Sequence, residues 1–197
     1  MDALPGFLIA ALALAGSPGP ATLSLAAAGA AFGARRGIAY LAGIVLGMVA
    51  VMAIVASGTA GLLLAVPGVA PAVAILAAAY FLWLAWRIAT APPMSDDGAR
   101  REPPTVAAGL LLSLVNPKGY VAMAALYSGF TLRPERLGAD LALKLVLLTL
   151  VIAAVNVGWL LAGAALTRFF RDPRSNRLVN LAFASALVGS VALAFFA

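Results

Sequence analysis

Long apolar stretches alternate along this chain with short clusters of charge, proline and glycine. The stretches run over approximately 4-31, 38-65, 70-90, 106-130, 141-167 and 178-197. Each is close to or longer than the run of about 20 apolar residues that a helix needs to cross a bilayer. All are rich in Ala, Leu and Gly, and none alternates apolar and polar residues as the strand of a membrane barrel does. The pattern predicts six transmembrane helices.

Two of the six carry helix breakers near their centres: "GSPGP" at 16–20 in the first and "LVNPKGY" at 114–120 in the fourth. Proline has no N–H to donate, so carbonyls around each break lose their helical partners. Lipid cannot satisfy them, and they must face protein or a water-filled cavity.

The connections differ in kind. "GARRG" is short and basic, "VPGVAP" is uncharged, "RPERLGAD" is mixed, and "RFFRDPRSNR" carries four arginines. The polar, proline-rich "ATAPPMSDDGARREPP" falls near the middle and divides the chain into 1-91, a linker at 92-105, and 106-197. With three spans per half, the second half enters the membrane from the opposite side, the condition for an inverted repeat. Pro117 follows Pro18 by 99 residues, and Asn156 follows Ser57 by 99 (117 − 18, 156 − 57). The predicted fold class is therefore an all-α integral membrane protein. Its single membrane domain holds six transmembrane helices, arranged as two inverted-topology three-helix repeats with broken first helices.

Composition narrows this further. The chain is 64% hydrophobic and only 10% charged, with a mean hydropathy of +1.06, which leaves no room for a soluble domain. The net charge of +6 is not read as a nucleic-acid footprint, because the basic residues stand at the ends of apolar runs. Arg35, Arg36, Arg87, Arg100, Arg101, Arg168, Arg171, Arg174 and Arg177 fall on one side, against Arg133, Arg136 and Lys144 on the other. The positive-inside rule then places both termini outside. No Lys or Arg precedes Arg35, so the first apolar stretch is expected to be a helix of the protein and not a cleaved leader.

Cysteine and histidine are both absent, which excludes disulfide and thiol chemistry and the commonest transition-metal ligand. Neither a metal site nor a cofactor is expected, and no pairing of nucleophile with base suggests an enzyme. No Asp or Glu falls within a predicted span, so a metal-efflux role is disfavoured. A membrane scaffold without transport is the other alternative.

Paired breaks in the two halves are the sequence pointer to a transporter site. Lys118 is the only formal charge deep in a predicted span, where lysine costs about 2.5 to 3.5 kcal/mol. Two duties stay open for it: attracting a substrate carboxylate or changing protonation, or else capping carbonyls freed beside Pro117. Lacking acids, the spans offer an ammonium group the carbonyls at the breaks, Asn116, Asn156, Ser17, or the faces of Tyr80 and Trp83. Such a site suits a neutral amphoteric solute. Thr22, Ser24, Ser57, Tyr120, Tyr127, Thr149 and Asn180 are read as interhelical hydrogen-bond partners. The glycine series 29, 33, 37 and 43, 47 suits close helix packing and also contact with a second copy, so a homodimer joins membrane lipid among the candidate partners.

In this order and spacing the segments resemble one family. "SPGPATLSLAAAGAAFGARRGIAYLAGIVLG", "AAAYFLWLAWRI" and "GLLLSLVNPKGYVAMAALYSGF" are similar to the signature segments of the LysE amino-acid exporter family, its RhtB-like branch included. The resemblance implies a six-helix exporter of amino acids or their derivatives in the bacterial inner membrane, working on ion gradients. It gives Pro18, Gly19 and Pro20 the part of the family's PGP motif, and Asn116, Pro117 and Lys118 that of its NPK motif. Substrates across the family include basic, neutral and sulfur-containing amino acids, so the resemblance does not select one.

Overall fold

The computed structural model describes residues 3–58, 66–90, 102–165 and 173–196, and the regular structure among them is helical throughout. Among the described residues eight helices follow one another: α1 (Leu4–Gly16), α2 (Pro20–Phe32), α3 (Ala34–Ala56), α4 (Val69–Ala89), α5 (Val106–Leu114), α6 (Pro117–Gly129), α7 (Leu137–Ala165) and α8 (Pro173–Phe196). The first and fourth apolar stretches are each two helices, α1 with α2 bent by 59° and α5 with α6 bent by 63°. Pro20 and Pro117 stand at the first positions of α2 and α6. There the missing N–H is an orphan in any case and the fixed φ suits a helix start. Each break is therefore the end of one helix and the beginning of another, not a kink within one.

Among the described residues, two helices, α3 and α7, are long and apolar enough to cross a membrane alone, and each bent pair passes the same test together. Large apolar side chains on their outer faces, among them Ile9, Val121 and Leu150, are exposed as lipid-facing residues are. The linker residues 91–101 lie outside the described residues, as do 59–65 of the second predicted span and 166–167 of the fifth.

Packing crosses between the halves. α3 lies against α5 and α6, α7 lies against α1 and α2, α3 meets α7, and α4 pairs with α8. Glycine lets these backbones touch: a methyl at Gly43 would overlap the Val106 carbonyl, and one at Gly109 the Tyr40 carbonyl. On the α2–α7 face, Gly29 meets the Leu160 carbonyl and Gly163 the Ala26 carbonyl in the same way. Gly37 and Gly47 also face inward, against Leu160 and Ser113. Most of the glycine series that suggested contact with a second copy is thus used within the chain. Gly33 differs: at φ 79 and ψ 161 it occupies a region that only glycine enters readily, and it turns α2 directly into α3. Arg35 and Arg36 consequently sit in the first turn of α3, where "GARRG" predicted a loop.

Two apolar clusters flank the middle of the molecule. Phe7, Met52, Met123, Leu126, Leu148 and Ile152 belong to one, and Leu25, Tyr40, Ile44, Leu112 and Leu160 to the other. Phe7 is fully buried and meets Phe130 edge-on at 5.7 Å.

One expectation is corrected at the start of α7. The helix begins at Leu137, ahead of the predicted 141, so Asp140 and Lys144 both fall within it and both are buried. They form an ion pair at 2.7 Å. Asp140 accepts the N–H groups of Leu132 and Arg133 at 2.6 and 2.8 Å, and Lys144 donates to the Tyr127 carbonyl at 3.1 Å. Lys118, itself only half-buried, is therefore not the only charge within an apolar helix, and a carboxylate is present as well. The apolar pattern predicts Asp140 in the loop "RPERLGAD" and Lys144 at the outer end of the span.

Candidate functional site

The α1 terminus leaves carbonyls that a continuous helix would have used. Their partners can be named. Ser17 N–H returns to Ala13 O at 3.1 Å, and the Ser17 hydroxyl donates to Leu14 O at 2.9 Å. The Trp159 indole, from α7, reaches Gly16 O at 3.4 Å. Beyond them, Lys118 Nζ donates to Ser17 O at 2.7 Å and to Pro18 O at 3.1 Å.

Lys118 thus crosses from the second break to the first. Capping was one of its two expected duties, but the carbonyls it caps belong to the other half of the chain, not to the turn beside Pro117. Its positive charge also lies where the α1 dipole is negative. Gly19 makes room for it: a Cβ there would stand 2.9 Å from both Cδ and Nζ of the lysine. Gly19 is extended, with its N–H donating to Thr22 Oγ1 at 2.9 Å, and Thr22 Oγ1 donates back to Gly19 O at 3.1 Å.

At the second break the backbone closes on itself. Val115 N–H reaches Leu111 O at 3.0 Å, Asn116 N–H reaches Ser113 O at 3.2 Å, and Gly119 N–H reaches Asn116 O at 3.0 Å. The Ser113 hydroxyl ties this turn to Ile44 O on α3 at 2.9 Å.

Between the breaks lies a cleft of about 60 Å³, room for a few water molecules. Gly19, Thr22, Asn116, Lys118 and Asn156 supply its polar lining. Ile44, Met48, Ala122, Met123 and Ile152 form much of its apolar wall. Asn116 and Asn156 are both buried, and the side-chain oxygen of each lacks a hydrogen-bond donor. Asn156 is oriented by its own amide nitrogen, which donates to Ile152 O at 2.9 Å. Two unpaired acceptors in a buried cleft are costly unless something donates to them. They suit a donor-rich group such as an ammonium. First-turn N–H groups of α2 and α6 and the third proton of Lys118 suit an anion.

Of the predicted site residues, the structure gathers Gly19, Asn116, Lys118 and Asn156 at one cleft. Ser17, Pro18, Pro20 and Pro117 shape the breaks without lining it. Tyr80 is on α4, but its side chain lies outside the described residues. Trp83 is 48% exposed on α4, so it is no wall of this cleft. Ser57 proves no counterpart of Asn156, because it caps the end of α3 with its hydroxyl on Ile54 O, whereas Asn156 is well inside α7. Reading the lone hydroxyls as interhelical partners holds for Ser24, which accepts from α3, whereas the Thr149 hydroxyl donates within its own helix to Leu145 O. The donor to Ser24 Oγ is the Tyr40 hydroxyl, at 3.0 Å, and the Ser113 hydroxyl on Ile44 O is a second interhelical bond. Sequence reasoning missed Ile44, Met48, Ile152 and Trp159. The available signal was the spacing of four between Ile44 and Met48 and between Ile152 and Asn156, which puts each pair on one helix face.

The chain also has relatives. A protein of Salmonella typhimurium (strain LT2) named cysteine/O-acetylserine efflux protein is 34% identical over 186 residues, 94% of this chain and 93% of the relative. Its namesake in Escherichia coli (strain K12) is 31% identical over 185 residues, again 94% and 93%. No solved structure matches the chain. The LysE type translocator family model matches residues 12–197, and the chain, with its two broken helices meeting at one cleft, belongs to that family: it is a translocator and not an enzyme.

Proposed function

We propose that the protein exports a small amino acid with an uncharged side chain across the bacterial inner membrane, by secondary transport with alternating access. The observation that carries this reading is the bridge from Lys118 to Ser17 O and Pro18 O beside a cleft with two unpaired amide oxygens. The substrate carboxylate is held by the remaining proton of Lys118 and the helix N-termini of α2 and α6. Its ammonium is held by Asn116 Oδ1 and Asn156 Oδ1. Ile44, Met48 and Met123 leave space for a short side chain, and no acid lines the cleft to pair with a basic one. Cysteine and O-acetylserine, named for the two relatives, fit this description.

Six spans in two inverted repeats agree with the reciprocal packing of α3 on the second broken pair and α7 on the first. Rocking of one group against the other opens the cleft to either side. Both termini then lie outside. Heavy-metal efflux is disfavoured by a chain without cysteine or histidine.

The test is efflux from proteoliposomes loaded with labelled serine, cysteine, O-acetylserine or lysine. Loss of the small neutral solutes, with lysine retained, is expected. Equal efflux of lysine, or efflux no faster than from empty vesicles, would overturn the reading.

A further inference from the structure

The C-terminal end of a half-helix, with unwound carbonyls beyond it, is where carriers built on broken helices seat a cation. In this chain α1 ends at Gly16 and presents Ser17 O and Pro18 O. Both are taken by one ammonium, that of Lys118, at 2.7 and 3.1 Å. The lysine comes from the opposite broken helix, and the path of its stem is kept open by the missing side chain of Gly19. The second break differs, since Leu111 O, Ser113 O and Asn116 O there each accept a backbone N–H group.

We propose that Ser17 O and Pro18 O form a monovalent-cation site which the chain fills with its own ammonium. A tethered cation needs no counter-ion in the cleft and loses no translational freedom on binding. It also never leaves, so this site carries no alkali cation across the membrane. The consequence is a carrier whose first break is held together without Na⁺ or K⁺. Only the flux readout of this inference rests on the export reading; the stability readout does not.

The experiment compares the wild-type protein with Lys118→Ala and Lys118→Met, purified in detergent and in proteoliposomes. Thermal stability and flux are measured in choline chloride, then with NaCl or propylammonium chloride added. Propylammonium is the part of the lysine side chain that alanine lacks. Wild-type stability and flux should be the same in all three salts. Lys118→Ala should lose flux by about tenfold or more in choline, the scale of two lost charge-assisted hydrogen bonds. It should regain both stability and flux with Na⁺ or propylammonium. Lys118→Met fills the channel of the stem without a charge, so it should be destabilised and gain from neither.

The inference is overturned if Lys118→Ala responds to Na⁺ and propylammonium no more than to choline, failure to fold in every salt included. It is equally overturned if Lys118→Met matches the wild type in stability. Should wild-type vesicles move no amino acid while the cations still stabilise Lys118→Ala, the cation site stands and the export reading falls.

Discussion

At Lys118 a membrane-insertion cost of about 2.5 to 3.5 kcal/mol is set against two hydrogen bonds from a charged donor, each worth about 1.5 to 3 kcal/mol. The balance closes without a substrate, which explains how the residue persists in an empty carrier. Asn156 is the opposite case. Its unpaired oxygen makes the empty cleft less stable, so replacing it with leucine removes a cost and a function together. Asn156→Leu should leave thermal stability unchanged or raised by about 1 kcal/mol, even though the bond to Ile152 O is lost. Apparent affinity for the exported solute should fall by about tenfold or more, on the scale of one hydrogen bond to a charged group. Measuring melting temperature and transport KM on the same preparation checks both; a loss of stability with KM unchanged would make Asn156 a structural residue. The sequence made Asn156 and Lys118 visible because polar residues are rare in apolar helices. It could not show where the lysine points, since its partners are backbone carbonyls 100 and 101 residues away, and carbonyls carry no sequence signal.

Helix starts decide much of what the elements do. Pro20 and Pro117 begin α2 and α6, so each break presents the C-terminal end of one half-helix and the N-terminal end of the next. That geometry was legible from proline positions alone. The start of α7 was not, because Asp140 looks like a solvated loop charge and Lys144 like the end of a span until the helix is seen to bury both. Asp140 bonds to the backbone of the α6–α7 turn and Lys144 to Tyr127 O, so the pair fastens the end of α6 to α7. Breaking a buried pair leaves one charge uncompensated, while removing both partners does not. Asp140→Asn should therefore cost about 3 to 5 kcal/mol. The double replacement Asp140→Asn with Lys144→Leu should recover most of that loss in a denaturation series; a double variant no more stable than Asp140→Asn would contradict this account of the pair. The turn between α6 and α7 also explains why a constant offset between the halves fails. α2 passes to α3 through Gly33 alone, whereas Phe130 to Arg136 separate α6 from α7. The prolines that begin α2 and α6 are 97 residues apart (117 − 20) and the starts of α3 and α7 are 103 apart (137 − 34), so the offset of 99 from Pro18 to Pro117 pairs positions that are not equivalent.

At the scale of the molecule, each broken pair packs on the long helix of the other half, and those two long helices meet. The cleft is the space left where the four elements converge, between the two apolar clusters. The count of apolar stretches was readable from hydropathy. Which helix touches which was not, since it depends on glycines whose partners are carbonyls of distant segments, such as Gly163 against Ala26. The central claim is that the two breaks form a single substrate site. The chain has no cysteine, so a thiol introduced at one position reports on that position alone. Ala122→Cys places it on the cleft wall, and Ser128→Cys places it on the same helix outside the cleft. The decisive measurement is the rate of thiol alkylation at each site, with and without O-acetylserine. Slowing at Ala122→Cys alone, by severalfold, is the predicted result; no protection at either position, or equal protection at both, would contradict the account.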